Sequence, residues 1–218
     1  LKWQINGGSG DFEHMGQTWS TPTLTQVRVG DALVPVLVFG GGYSSSDHDR
    51  TRDYDAEDRS NEDEMGNAIY MVNANTGDLV WSATGDTVSA MKWAVPGSIS
   101  VVDKNLDGVA DHLYFGDLGG QVFRVDIDQS GGKSMAVHRL ADFGGDDEDN
   151  RRFYEAPAIT YVKEGFNEVL YVAIGSGYRA HPKDKETEEA FFVFRDEKAF
   201  NNPSAPDKVL SLGDLSEI

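Results

Sequence analysis

The chain has 218 residues, no cysteine, and 37 acidic against 19 basic residues, which gives a formal net charge of −18 at pH 7. Such an acidic chain is a poor partner for nucleic acid or an anionic membrane surface and a good one for cations. Without cysteine it has neither disulfides nor zinc–thiolate sites, and no apolar run is long enough to cross a membrane.

Strand patterns recur along the chain in a repeating order. Each unit opens with an aromatic residue followed three positions later by Pro; the opening segments are residues 19–24, 93–99 and 154–159. The second, third and fourth strands follow, and a fourth is visible in the first two units only. These strands are residues 36–42, 68–72 and 79–82, then 112–117, 121–125 and 135–139, then 170–177 and 190–195. The turn at residues 73–78, Asn-Ala-Asn-Thr-Gly-Asp, is typical of a β-hairpin.

Four antiparallel strands per unit, repeated at roughly 60 to 75 residues, are typical of β-propeller blades with inserted loops. We therefore predict an all-β fold in which residues 1–200 belong to a single propeller domain. About three four-stranded blades are expected, at about residues 19–83, 93–140 and 154–196. Residues 1–5 resemble a fourth strand, so we expect them to end a preceding blade and the chain to be a fragment of a larger propeller. The alternative is an ordinary meander sandwich.

Two segments interrupt this pattern. Residues 44–64 contain nine acidic residues, three Arg and almost no apolar side chains, which predicts a solvated acidic insert; a second metal site is the alternative. Residues 201–218, with Pro203 and Pro206, indicate a connector or the start of another element.

Aromatic and titratable residues give no sign of an active site. The four tryptophans lie at equivalent positions in the units, and we predict that they pack between blades, with carbohydrate stacking as the alternative. They are Trp3, Trp19, Trp81 and Trp93. The five histidines show no metal-ligand spacing, and no nucleophile or phosphate-binding motif occurs. We expect no enzymatic activity and no catalytic residue.

Residues 103–111 carry the most specific motif, D-x-N-x-D-G-x-x-D. This is the oxygen-ligand pattern of an EF-hand-type calcium loop, with ligands at positions 1, 3, 5, 7 and 9 and Gly at position 6. The predicted ligands of Ca²⁺ are Asp103, Asn105, Asp107, Val109 through its backbone carbonyl, and Asp111. Gly108 occupies the sharp turn, where a side chain would obstruct.

The loop departs from a true EF-hand in two ways. Position 12 is Tyr114 rather than a bidentate Glu, and the flanking residues are typical of strands rather than helices. We therefore expect a strand–loop–strand site, with a water as a further ligand and an affinity roughly between micromolar and millimolar. The alternative is an acidic Asx-turn that binds no metal.

With these features in view, the chain resembles the C-terminal propeller of the PilY family of type IV pilus biogenesis factors. Four blocks carry the resemblance: residues 66–77, 102–120, 150–154 and 173–182. It implies a modified, quinoprotein-like β-propeller with calcium on the loop residues named above. It also implies a protein at the pilus or outer surface of a bacterium, which supports pilus extension and attachment to surfaces or host cells. The implied partners are pilin or minor pilins and an unidentified receptor.

Two other functions fit a calcium-containing propeller. Quinoprotein dehydrogenases use calcium that contacts their cofactor and takes ligands from separated parts of the ring. The loop here is self-contained and nearly saturates its ion, which leaves no position for catalysis. Integrin-α-like or lectin-like adhesion propellers are the second alternative, but their calcium loops recur in successive blades, whereas this loop occurs once.

Overall fold

The computed structural model describes residues 2–44, 62–132, 134–145, 149–180, 182–200 and 203–216. Across these ranges the regular structure consists of β-strands and two short 3-10 helices. The predicted all-β class is confirmed. Most of the predicted acidic insert, residues 45–61, lies outside the described residues. No helix in the described ranges has both the length and the hydropathy needed to cross a membrane.

The first sheet has four antiparallel strands in chain order. They are β1 (Thr23–Val29), β2 (Ala32–Gly40), β3 (Ala68–Asn73) and β4 (Leu79–Thr84). The predicted hairpin joins β3 to β4, and the Asn73 side chain accepts a hydrogen bond from the Asn75 N–H at 2.9 Å. Gly77 ends this turn with φ +82°, a conformation that favours glycine.

The second sheet repeats this order. Its strands are β5 (Ser100–Val102), β6 (His112–Gly116), β7 (Gln121–Asp126) and β8 (Ala136–Asp142). The third sheet has the order β11-β10-β9, with β9 (Ala158–Glu164), β10 (Asn167–Gly175) and β11 (Phe191–Asp196). Two sheets of four strands and one of three match the strand pattern of the sequence, in which the third unit has no visible fourth strand.

The second sheet lies between the other two, and both of its faces are buried. Because side chains alternate across a strand, Phe115 and Phe123 pack against the first sheet, whereas Tyr114 and Val122 pack against the third. The rings of Phe143 and Phe192 stack with centroids 4.6 Å apart between the second and third sheets. Burying each apolar side chain of this kind stabilises the folded protein by about 1.5–3 kcal/mol relative to leaving it exposed.

The two ends of the chain both contact the sheets. Residues 2–5 have no hydrogen-bonded strand partner in the described part of the chain, and their predicted place in a preceding blade stays a prediction. Trp3 instead donates to the Ala74 carbonyl at 3.2 Å and covers Gly77. At the other end, Leu210 forms a parallel bridge with Ala141 of β8, so the predicted connector is docked on the second sheet.

The tryptophans take different environments. Trp81 packs against the core shared by the first two sheets, and the Trp93 ring lies against Gly119 in the turn between β6 and β7. Trp19 is 52% exposed and stacks on Tyr43 with ring centroids 5.1 Å apart. The predicted packing between sheets therefore fits Trp81, whereas half of Trp19 is exposed to solvent.

Candidate metal centre

The predicted calcium loop connects β5 to β6, which are neighbours in the second sheet. Its C-terminal half is fixed by three backbone hydrogen bonds. The Asp111 N–H donates to Val102 at 2.8 Å, the Ala110 N–H to Gln26 of β1 at 2.9 Å, and the Ile127 N–H to Asp111 at 2.9 Å. The loop is thereby attached to both the first and the second sheet.

Inside the loop, side-chain oxygens accept hydrogen bonds from backbone N–H groups in sequence. Asp103 Oδ2 accepts from Gly108 at 2.7 Å, and Asp107 Oδ1 accepts from Val109 at 2.9 Å. Asn105 Oδ1 accepts from Asp107 at 3.2 Å. Asp111 Oδ2, from the far end, accepts from the Lys104 N–H at 2.8 Å. These bonds attach each predicted ligand side chain to the backbone of the loop.

The backbone of the loop takes two left-handed residues. Gly108 has φ +86°, as its place at position 6 predicts. Leu106 has φ +61° and is the single positive-φ residue other than glycine in the described ranges. Its side chain is 88% exposed, so packing does not compensate for this conformation.

The loop contains three carboxylates and one cationic residue, Lys104. In the described ranges, no Lys, Arg or His side chain forms an ion pair with Asp103, Asp107 or Asp111. Asp111 is only 5% exposed. Uncompensated carboxylates, one of them buried, and an all-oxygen donor set fit a hard cation such as calcium. Their oxygens do not all lie within 4.8 Å of one another.

A buried polar network begins directly after the loop. His112 is 1% exposed; its Nδ1 lies 2.8 Å from Asp126 Oδ1, and its Nε2 lies 2.9 Å from the Ala199 carbonyl. Burial alone would raise the pKa of Asp126, but hydrogen bonds from His112 and Arg124 outweigh it and hold that pKa below its usual value. The loop therefore borders a chain of polar contacts that reaches the third sheet.

Two blocks that carried the family resemblance meet in space. The Gly177 N–H donates to the Arg152 carbonyl at 3.1 Å, and the Arg152 guanidinium lies 3.7 Å from the centroid of the Tyr178 ring. Tyr154 and Arg179 line a pocket of about 290 Å³ beside them. His181, in the same block, lies outside the described residues.

One group of potential metal ligands was not found from the sequence. Glu13, His14 and Asp86 place their ligand atoms within 4.8 Å of one another. Because Asp86 lies 72 residues from His14, no short sequence motif contains all three residues. The tertiary contact between the N-terminal segment and the end of β4 creates it.

Comparison with known proteins gives a match to a solved structure. No protein-family model matches the chain, and no curated protein matches it. Its structure is similar to the crystal structure of the Pseudomonas aeruginosa PilY1 C-terminal domain, with a TM-score of 0.57 and 22% sequence identity. The match covers 91% of this chain and 41% of that one. The resemblance predicted from the sequence is confirmed for the fold: the chain folds like about two fifths of the PilY1 C-terminal domain.

Proposed function

We propose that this chain is a calcium-binding part of a β-propeller in a type IV pilus-associated protein. The observation that carries the proposal is the loop at residues 103–111, which presents four oxygen-bearing side chains between adjacent strands of a PilY1-like fold. On this proposal the three sheets are successive propeller blades.

The arrangement of the sheets supports the propeller. β5 lies against β1 on one side and β9 on the other, so the first strands of the three sheets are neighbours, as the inner strands of blades are. The outward face of the third sheet exposes Phe191 by 70% and Val193 by 49%. A further blade of a longer chain would cover these apolar side chains.

Calcium is proposed to be held by Asp103, Asn105, Asp107, the Val109 carbonyl and Asp111. When bound, the ion supplies positive charge that offsets the repulsion between the three carboxylates. Calcium binding would fix the relative positions of these five ligand groups along the loop. Because Ala110 is bonded to Gln26 of β1, a loop fixed by calcium would stiffen the contact between the first and second sheets.

The biological role is proposed by analogy with the PilY1-like fold. The protein would act outside the cell, at the pilus or outer surface of a bacterium, with pilin or minor pilins as partners. It would support pilus extension and attachment to a surface or host cell, with calcium controlling the conformation of the loop. The loop is self-contained, so we assign it a structural and regulatory role rather than a catalytic one.

The role is tested in a bacterium that assembles type IV pili with the full-length protein. Cells lacking the protein are complemented with the parent sequence, with Asp107→Ala, or with the matched control Asp78→Asn, an exposed turn residue outside the loop. Surface pili and surface attachment are then counted with and without a calcium chelator. We expect Asp107→Ala to reproduce the chelated parent and Asp78→Asn to behave as the untreated parent. Normal pili and attachment in the Asp107→Ala strain would contradict the proposal.

A further inference from the structure

The N-terminal segment is fixed across one end of the first sheet. It contains a 3-10 helix at Gly10–Phe12, followed by Glu13 and His14. The Gly66 N–H donates to the His14 carbonyl at 2.7 Å, and the Gly16 N–H donates to Gly41 at 2.9 Å. Met15 is 7% exposed and packs in an apolar cluster with Phe39 and Tyr70 of the sheet. The backbone on both sides of His14 is therefore held in place by the fold.

Antiparallel pairing brings two more polar residues to the same end. Ala68 of β3 pairs with Thr84 of β4, so Asn67, just before β3, and Asp86, just after β4, lie together. The N-terminal segment places His14 against both of them. Glu13, on the adjoining position, completes a group whose ligand atoms all lie within 4.8 Å of one another.

The hydrogen bonds of His14 define the role of each ring nitrogen. Nδ1 lies 3.0 Å from Asn67 Oδ1, and Nε2 lies 3.1 Å from Asp86 Oδ2. The amide oxygen of Asn67 can only accept, so Nδ1 carries the proton. In the neutral ring the Nε2 lone pair then faces a carboxylate oxygen, an arrangement that is repulsive unless a proton or a metal ion lies between them.

This is also how a metal-binding histidine is oriented. Such a ring coordinates through one nitrogen while the other donates to an oxygen acceptor that fixes the tautomer. Asn67, which is 7% exposed, supplies that acceptor. The His14 side chain is 14% exposed and that of Asp86 is 74% exposed, so the group has a fixed inner side and an outer side open to solvent.

We propose that Glu13, His14 and Asp86 bind a divalent transition-metal ion such as Zn²⁺. One imidazole nitrogen and two carboxylates suit zinc, whereas calcium selects oxygen ligands. Three protein ligands leave at least one coordination position, on the exposed side, for water or for a group from a partner. This site is separate from the calcium loop, because the two share no residue.

The test is a calorimetric titration with zinc chloride, in buffer with calcium in excess to occupy the loop. Glu13→Gln and Asp86→Asn each remove one ligand charge at an exposed position. Asp11→Asn is the matched control, since Asp11 is exposed, lies two residues from Glu13 and is outside the group. We expect each ligand variant to weaken zinc binding by about tenfold or more, since even outer-shell partners of metal ligands contribute about that much. The control should bind as the parent does.

A second measurement distinguishes zinc coordination at His14 Nε2 from protonation of that nitrogen. In a ¹H–¹⁵N spectrum of the imidazole, zinc should shift the His14 Nε2 resonance while Nδ1 keeps its proton. A doubly protonated His14 ring that zinc leaves unchanged, or ligand variants that bind zinc like the parent, would overturn the proposal and leave a simple ion pair with Asp86. Zinc binding should persist in Asp107→Ala, so failure of the calcium loop and failure of this site are distinguishable.

Discussion

The guanidinium of Arg124 on β7 donates from Nη1 to both carboxylate oxygens of Asp196 at the end of β11, each at 2.7 Å. The side chains are 0% and 2% exposed, respectively. The pair therefore crosses the interface between the second and third sheets with almost no contact with water. Tyr114 adds a hydrogen bond to Asp196 at 2.9 Å, and burial, followed by the Asp196 charge, raises the pKa of that phenol.

Asp196→Asn should destabilise the protein by about 3 kcal/mol. The substitution leaves Arg124 buried with a single remaining carboxylate partner, Asp126, and breaking a buried pair costs about that much. Urea unfolding at neutral pH measures the change in the free energy of unfolding. Glu197→Gln is the matched control, because Glu197 pairs with Arg195 at the surface, and we expect it to cost less than about 1 kcal/mol. Equal losses in the free energy of unfolding for the two variants would show that the buried pair contributes no more to stability than the surface pair.

Asp126 should contribute an acid-sensitive part of the stability. Its pKa in the folded protein lies below the usual 3.8, so the stabilisation is fully present above that value and is lost as pH falls through the lower, folded-state pKa. The groups facing its carboxylate are Arg124, His112 and His138. We expect Asp126→Asn to be less stable than the parent at neutral pH. The difference in the free energy of unfolding between the two proteins should become smaller below about pH 4.

Urea unfolding of both proteins across the acidic range provides the measurement. A gap in the free energy of unfolding that stays constant from neutral pH to the acid limit would contradict this role for Asp126. Arg139→Gln, which removes a partly exposed ion pair with Asp142, is a control for general charge effects.

Gly119→Ala should lower the free energy of unfolding by about 1–3 kcal/mol, because it disturbs the packing of Trp93 against the turn between β6 and β7. A Cβ at this position would lie 2.1 Å from the Trp93 ring, so the indole would have to move. Unfolding followed by tryptophan fluorescence reports both the stability and the environment of the ring. Gly177→Ala is the matched control, since a Cβ there meets nothing within 4 Å. If both substitutions are neutral, Trp93 is not held against this turn.

Strand positions were predictable because their signals are local. The β6 and β7 segments concentrate apolar side chains, β6 ends in Gly116, and both lie where the sequence predicts them. The motif at residues 103–111 was recognisable for the same reason, since all the predicted ligands lie within nine consecutive residues; calcium binding there stays a prediction. The sequence also indicated the PilY-like fold, because the specific blocks at residues 102–120 and 173–182 occur together in one chain.

Contacts between distant residues were not predictable in this way. The Arg124–Asp196 pair joins residues 72 positions apart in a chain with 37 acidic residues, so nothing local singles out one carboxylate. The group around His14 depends on the docking of the N-terminal segment against the ends of β3 and β4. Residues 2–5 resemble a strand by composition, and their place in a preceding blade stays a prediction, because strand structure also requires a partner.

The most direct test of the central claim is a calorimetric calcium titration of this chain, of Asp107→Ala and of Asp78→Asn. We predict that the parent and Asp78→Asn bind one calcium ion at the loop, with a Kd roughly between micromolar and millimolar. Asp107→Ala should lose that binding and the accompanying rise in Tm. Absence of binding heat in the parent, together with a Tm that does not respond to calcium, would mean that residues 103–111 form an acidic turn without a metal.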